Sequence, residues 1–113
     1  MRKNRTIIAI LLAVLLISSA ALATPVWSKL FNDTYKPKPG SAIVKAKCQL
    51  CHMKSFAFNP YGMSLKGKKM VAASLKAIEK LDADKDGFTN IAEIKAGTLP
   101  GDPKSKPARK PKK

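Results

Sequence analysis

The chain has two cysteines and one histidine, and all three fall within Cys48-Gln49-Leu50-Cys51-His52. Cys-x-x-Cys followed at once by His is the attachment signal of a c-type haem. Two thiols three positions apart sit about one helical turn apart, so both can reach the two vinyl groups on one edge of a porphyrin as thioethers. The next residue then lies beneath the iron and offers its imidazole as proximal ligand. Competing uses fit less well. A thioredoxin-type redox pair needs a strand ahead of the motif in an alternating β/α pattern, and none surrounds it. Zinc needs a fourth strong ligand from a second Cys/His pair. A Cys48–Cys51 disulfide would leave the adjacent His without a role.

The beginning of the chain reads as an address. Arg2, Lys3 and Arg5 precede an apolar run from Ile7 to Ile17, and the stretch ends in Ala21-Leu22-Ala23, so cleavage is expected before Thr24. Retention as an N-terminal anchor is the alternative. Export to the bacterial periplasm or another exported space agrees with haem attachment of this kind. Removing three basic residues from the formal +15 leaves +12. A mature domain of about 90 residues buries a modest fraction of its surface and needs a staple. With no disulfide spare, a covalently fixed haem would supply that core.

Along the mature chain, Thr24–Gly40 reads as irregular, its aromatics lying over the haem-bearing core. Ser41 is a fair N-cap for a short helix leading into the haem motif. Phe56 and Phe58 read as pocket walls, and Asn59-Pro60-Tyr61-Gly62 as a turn. Lys66–Leu81 carries the longest helical pattern, with Met70, Val71, Ser74, Leu75, Ile78 and Leu81 on one side. Residues 104–113 hold lysines, an arginine and prolines with almost nothing apolar, and read as a disordered basic tail.

A second constellation runs from Asp82 to Glu93. Asp82, Asp84 and Asp86 stand at positions 1, 3 and 5 of a twelve-residue calcium loop, Gly87 at the sharp turn, and Glu93 at the bidentate position 12. Phe88 would offer its backbone carbonyl and Asn90 a contact through water. Four of the seven acidic residues are these ligands, a clustering that would cost repulsion without a cation. Position 8 holds Thr89, where paired hands carry an apolar residue, so a single hand of weak, extracellular-type affinity is expected. The plainer reading is an acidic turn capping a helix that ends at Leu81. A cation joining the loop's two ends would turn Ile91 and Ile94 toward Leu75 and Ile78.

With Phe31 and Tyr35, Ala46-Lys47-Cys48-x-x-Cys51-His52, Asn59-Pro60-Tyr61-Gly62, the Asp82–Glu93 loop and Gly97-Thr98-x-Pro100-Gly101-Asp102-Pro103, most of residues 31–103 resembles the small exported bacterial mono-haem cytochromes c that carry an EF-hand-like calcium motif. The resemblance implies an electron carrier with haem c on Cys48 and Cys51 and His52 as proximal ligand. Such carriers commonly take Met as the sixth ligand. Met53 adjoins His52 and cannot reach the opposite face, Met63 is preferred, Met70 is next, and an open site is the remaining choice.

The expected fold is therefore all-α: residues 24–103 form a small c-type cytochrome-like domain with one covalent haem and a single EF-hand-like helix-loop-helix. No acid/base set is visible, so the chain is not read as an enzyme. Its charge points to acidic redox partner proteins, or to an anionic membrane surface, and not to nucleic acid. Two other classes stay open: a gas-binding haem module with a free sixth position, and a non-haem calcium module.

Overall fold

The computed structural model describes residues 26–109. The proposed address segment and the last residues of the basic tail lie outside them. Among the described residues the chain is all-α, with no strand; the lone β-like pairing is a bridge between His52 and Phe58. The helices are α1 (Val26–Tyr35), α2 (Ala42–Ala46), α3 (Pro60–Leu65), α4 (Ala72–Ala77) and α5 (Asn90–Ala96), with a 3₁₀ turn, Lys47–Leu50, directly after α2. No helix among the described residues is long and apolar enough to cross a membrane.

Helix α1 replaces the irregular segment expected there. Trp27, Leu30, Phe31, Thr34 and Tyr35 follow i, i+3, i+4 spacing and make one apolar stripe, a period hidden by the polar residues between them. Lys29 and Asp33 pair at 2.6 Å on the exposed side, a contact worth a few tenths of a kcal/mol at most. Burial does more. Phe31 is buried and meets Tyr61 edge-on at 6.2 Å and Tyr35 at 4.9 Å. Ile43, Leu50, Leu65, Leu75, Ile78 and Ile94 complete the core around these rings.

Ser41 caps α2 as expected, accepting from the Val44 N–H. Asn59-Pro60 is a helix start rather than a turn. Asn59 is the N-cap of α3, its Oδ1 accepting from Gly62 N–H at 2.9 Å, and Pro60 occupies the first helical position, where its missing N–H costs nothing.

The largest departure is the Lys66–Leu81 pattern, of which only Ala72–Ala77 is helix. Gly67 takes φ +76 and Val71 is extended, which breaks the N-terminal half. At the other end the carbonyls that would continue the helix are diverted. Ile78 O accepts the Asn90 carboxamide, Glu79 O accepts Ile91 N–H and Leu81 O accepts Asn90 N–H. Met70 consequently stands outside any helix and is half exposed. Ile94 is buried with Leu75 and Ile78 as expected, but Ile91 is only partly covered and lines a cavity with Tyr35 and Pro37.

Candidate haem-attachment turn and acidic loop

The Cys48–His52 segment is a tight turn, not a regular helix. The N–H groups of Cys51 and His52 both reach Cys48 O, at 3.3 and 3.1 Å. The two cysteines are free rather than bridged; Cys48 is exposed and Cys51 partly covered. Burial pushes the Cys51 thiol up to about 11. Asn59 holds the turn from outside. Its NH₂ group donates to Gln49 O and Leu50 O at 3.1 and 3.0 Å, and its backbone N–H to Cys51 O at 2.9 Å. Gly62 closes the packing, because a Cβ there would lie 2.1 Å from Cys51 O and 2.9 Å from the Phe58 ring. Gly62→Ala is therefore expected to destabilise the chain by 3 kcal/mol or so, the upper range for overpacking, since backbone cannot swing aside. Urea unfolding with an unchanged midpoint would contradict this packing.

His52 is fixed by its other nitrogen. Nδ1 stands 2.9 Å from Phe56 O, and a carbonyl can only accept, so Nδ1 carries the proton and the neutral ring keeps its lone pair on Nε2. Metal-bound histidines are held by this kind of outer bond. Phe58 stacks on the imidazole at 4.8 Å. Phe56 offers its carbonyl from a left-handed backbone, φ +62, with its ring 81% exposed. That conformation is costly for an aromatic residue. His52 lines a cavity of about 160 Å³ with Trp27, Cys51, Phe58, Leu65 and Met70, and a second of about 370 Å³ with Cys48, Met53 and Phe56. Two free thiols, an imidazole nitrogen with its lone pair and half-exposed apolar side chains are a donor set and lining that fit a covalently held haem. Met63 is exposed on α3 and does not line the cavity of Cys51 and His52; Met70 does.

The acidic loop is built by its own backbone. Asp82 accepts from Asp86 and Gly87 N–H, Asp84 from Asp86 N–H, and Asp86 from Phe88 N–H. Gly87 makes the sharp turn at φ +96. One oxygen each of Asp82, Asp84 and Asp86 lies within 4.8 Å of the others. Glu93, on α5, is fully buried, and neither of its oxygens has a partner; one oxygen each of Asp84 and Asp86 is likewise buried and unpaired. Burial, then the charges of Asp84, Asp86, Asp82 and Asp102, push Glu93 up to about 8. Burial and the Asp86 charge push Asp84 up to about 6. Asp82, despite some desolvation, is held below the usual range by the Gly87 and Asp86 amides. A three-aspartate cluster with orphaned buried oxygens on Asp84 and Asp86, and an orphaned Glu93 carboxylate within its field, is a hard-cation donor set.

Asn90 has another role than the water-bridged contact expected of it. It is fully buried, Oδ1 accepting from Ala83 N–H at 3.1 Å and Nδ2 donating to Ile78 O at 2.8 Å, so it clasps the loop's two ends. Phe88 is half-buried, its N–H bound to Asp86. Asp102, near enough to add to the Glu93 field, and Asn59, which holds the Cys48–His52 turn, enter the sequence reading only as members of the Gly97–Pro103 and Asn59–Gly62 stretches, without these roles. The Asn-Pro pair is a helix-start signature that could have flagged Asn59; no local pattern marks Asp102. The chain matches no protein-family model, no curated protein and no solved structure.

Proposed function

We propose that this chain is an exported mono-haem c-type cytochrome that carries single electrons between proteins and is stabilised by one calcium ion. The observation that carries the reading is the His52 ring, pinned through Nδ1 by the Phe56 carbonyl with Nε2 left to bind iron, immediately after two free thiols. Cys48 and Cys51 would hold the haem, which supplies the one-electron chemistry when bound. The chain's own residues fix the imidazole, limit water through Phe58, Trp27 and Leu65, and set the surrounding charge. Asp82, Asp84, Asp86 and Glu93 would hold the calcium.

The sixth position separates the carrier from its rival. Met70 lies on the His52 cavity but in a segment outside any helix, which leaves room for an exchangeable site and a gas-binding module. Haem staining after denaturing electrophoresis tests the cofactor. The reduced spectrum with and without carbon monoxide tests the use: an inert low-spin haem supports the carrier, rapid ligand uptake supports the rival. An unstained band leaves a calcium module alone.

Charge supports an acidic protein partner. From Lys36 to Ile78 the chain has nine lysines and no carboxylate, and Lys45, Lys54, Lys66 and Lys68 border two of the cavities that His52 lines. Exposed charges of this kind act on encounter rate and are screened beyond about 10 Å at 0.1 M salt. Electron transfer to an acidic redox protein is expected to slow severalfold from low salt to 0.2 M, measured by stopped-flow. A rate independent of salt would remove steering, and with it this partner class. Binding to anionic vesicles but not to the protein would favour a membrane surface instead.

A further inference from the structure

We propose that Gly101 and Asn59 carry the state of the acidic loop to the Cys48–His52 turn, so that a cation on the loop steadies the turn. The inference rests on the calcium reading of that loop. On the loop side, Glu93 has a buried, unpartnered carboxylate within the field of Asp84, Asp86 and Asp82, while its own carbonyl accepts from Thr98 N–H at 3.0 Å and Thr98 Oγ1 at 3.4 Å. The chain then passes through Leu99 and the fully buried Pro100 to Gly101. This stretch is closed on itself: Asp102 N–H reaches Leu99 O, Ser105 N–H reaches Asp102 O, and Ser105 Oγ accepts from Leu99 N–H. Through the Thr98–Glu93 bonds it is tied to the end of α5.

On the haem side, Gly101 lies flat on the Asn59 carboxamide. A Cβ at Gly101 would be 2.6 to 2.8 Å from Oδ1, Cγ and Nδ2. Each polar atom of that carboxamide is already engaged, with Gln49 O and Leu50 O on one end and Gly62 N–H on the other. Close-packed interiors pass displacements on rather than absorb them. Any shift of Glu93 between the empty and the loaded loop therefore reaches Asn59, and through it the two carbonyls that precede Cys51.

Amide hydrogen exchange on the full haem-loaded chain, in calcium and in chelator, tests this. Gly87 N–H reports the loop, His52 and Asn59 N–H report the turn, and Lys36 N–H, bonded to Asn32 O at the end of α1, reports opening elsewhere. Calcium is expected to slow Gly87, and to slow His52 and Asn59 about fivefold more than Lys36, the low end of common coupling between sites. Gly101→Ala should keep the effect at Gly87 and lose the excess at His52 and Asn59. Slowing at Gly87 with no excess at the turn in the parent overturns the coupling alone, whether or not the variant folds. No change at Gly87 overturns the calcium reading and the coupling with it.

Discussion

Replacing both Cys48 and Cys51 with serine is expected to leave the protein without any covalent haem, an all-or-none loss read as the disappearance of one haem mass per chain. The thioethers need both sulfurs at this spacing and no other thiol exists in the chain. His52→Ala is the sharper variant. It keeps both thiols and removes the one imidazole, so any haem that does attach lacks its proximal nitrogen and its low-spin spectrum. The local fold should tolerate the change better than Gly62→Ala, because His52 is only partly covered. Parent protein of haem-free mass, recovered from a host with working attachment machinery, would end the cytochrome reading.

Calcium removal should have the second largest effect, and its sign with pH is fixed by the loop. In the cation-free fold Glu93 and Asp84 are pushed up to about 8 and about 6, against roughly 4.3 and 3.9 for unfolded carboxylates. The folded chain then binds more protons than the unfolded one, so stability falls as pH rises from about 4 to 8. The penalty is absent below the unfolded values and complete above the folded ones. Asp82, whose value is lowered, acts in the opposite sense but below that window. A cation satisfies the ionised oxygens and removes the fall. At a hundredfold excess over Kd it adds about 2.7 kcal/mol, on the order of 10–20 °C in Tm for a domain of this size. Thermal unfolding in calcium and in chelator at pH 5 and pH 8 should show the gap widening at pH 8. Glu93→Gln should flatten the chelator profile and blunt the response to calcium. Equal melting in calcium and chelator at both pH values would leave an acidic turn and nothing more.

The two candidate sites were legible because their donor patterns are local. Cys48 to His52 and Asp82 to Glu93 each present their donors over a dozen residues or fewer, and Ser41 announced its helix by a cap that needs no tertiary context. Asn59-Pro60 carried an equally local signature, open to two readings because Pro serves turns and helix starts alike. The Lys66–Leu81 pattern misled for a different reason. Its apolar spacing is real, and Leu75 and Ile78 do face the core, but the C-terminal end of the helix was decided by the Asn90 carboxamide and by the Asn90 and Ile91 amides, from the far side of the loop. Periodicity cannot report that competition. Asp102 and Gly101 matter through space alone, and no spacing in the sequence joins them to Glu93 or Asn59.

The brevity of the helices has a consequence for how much of the protein a cell would hold. The five α-helices among the described residues run from five to ten residues, whereas an isolated helix in water becomes persistent only at about 12–15. None of them can form ahead of its neighbours, so the fold stands or falls with the contacts that join them. On the cytochrome reading, in which haem completes the core, chain arriving faster than haem would spend a larger fraction of its time open, and open chain is what proteases remove. The standing amount of this protein would then follow the supply of haem rather than the rate of its own synthesis.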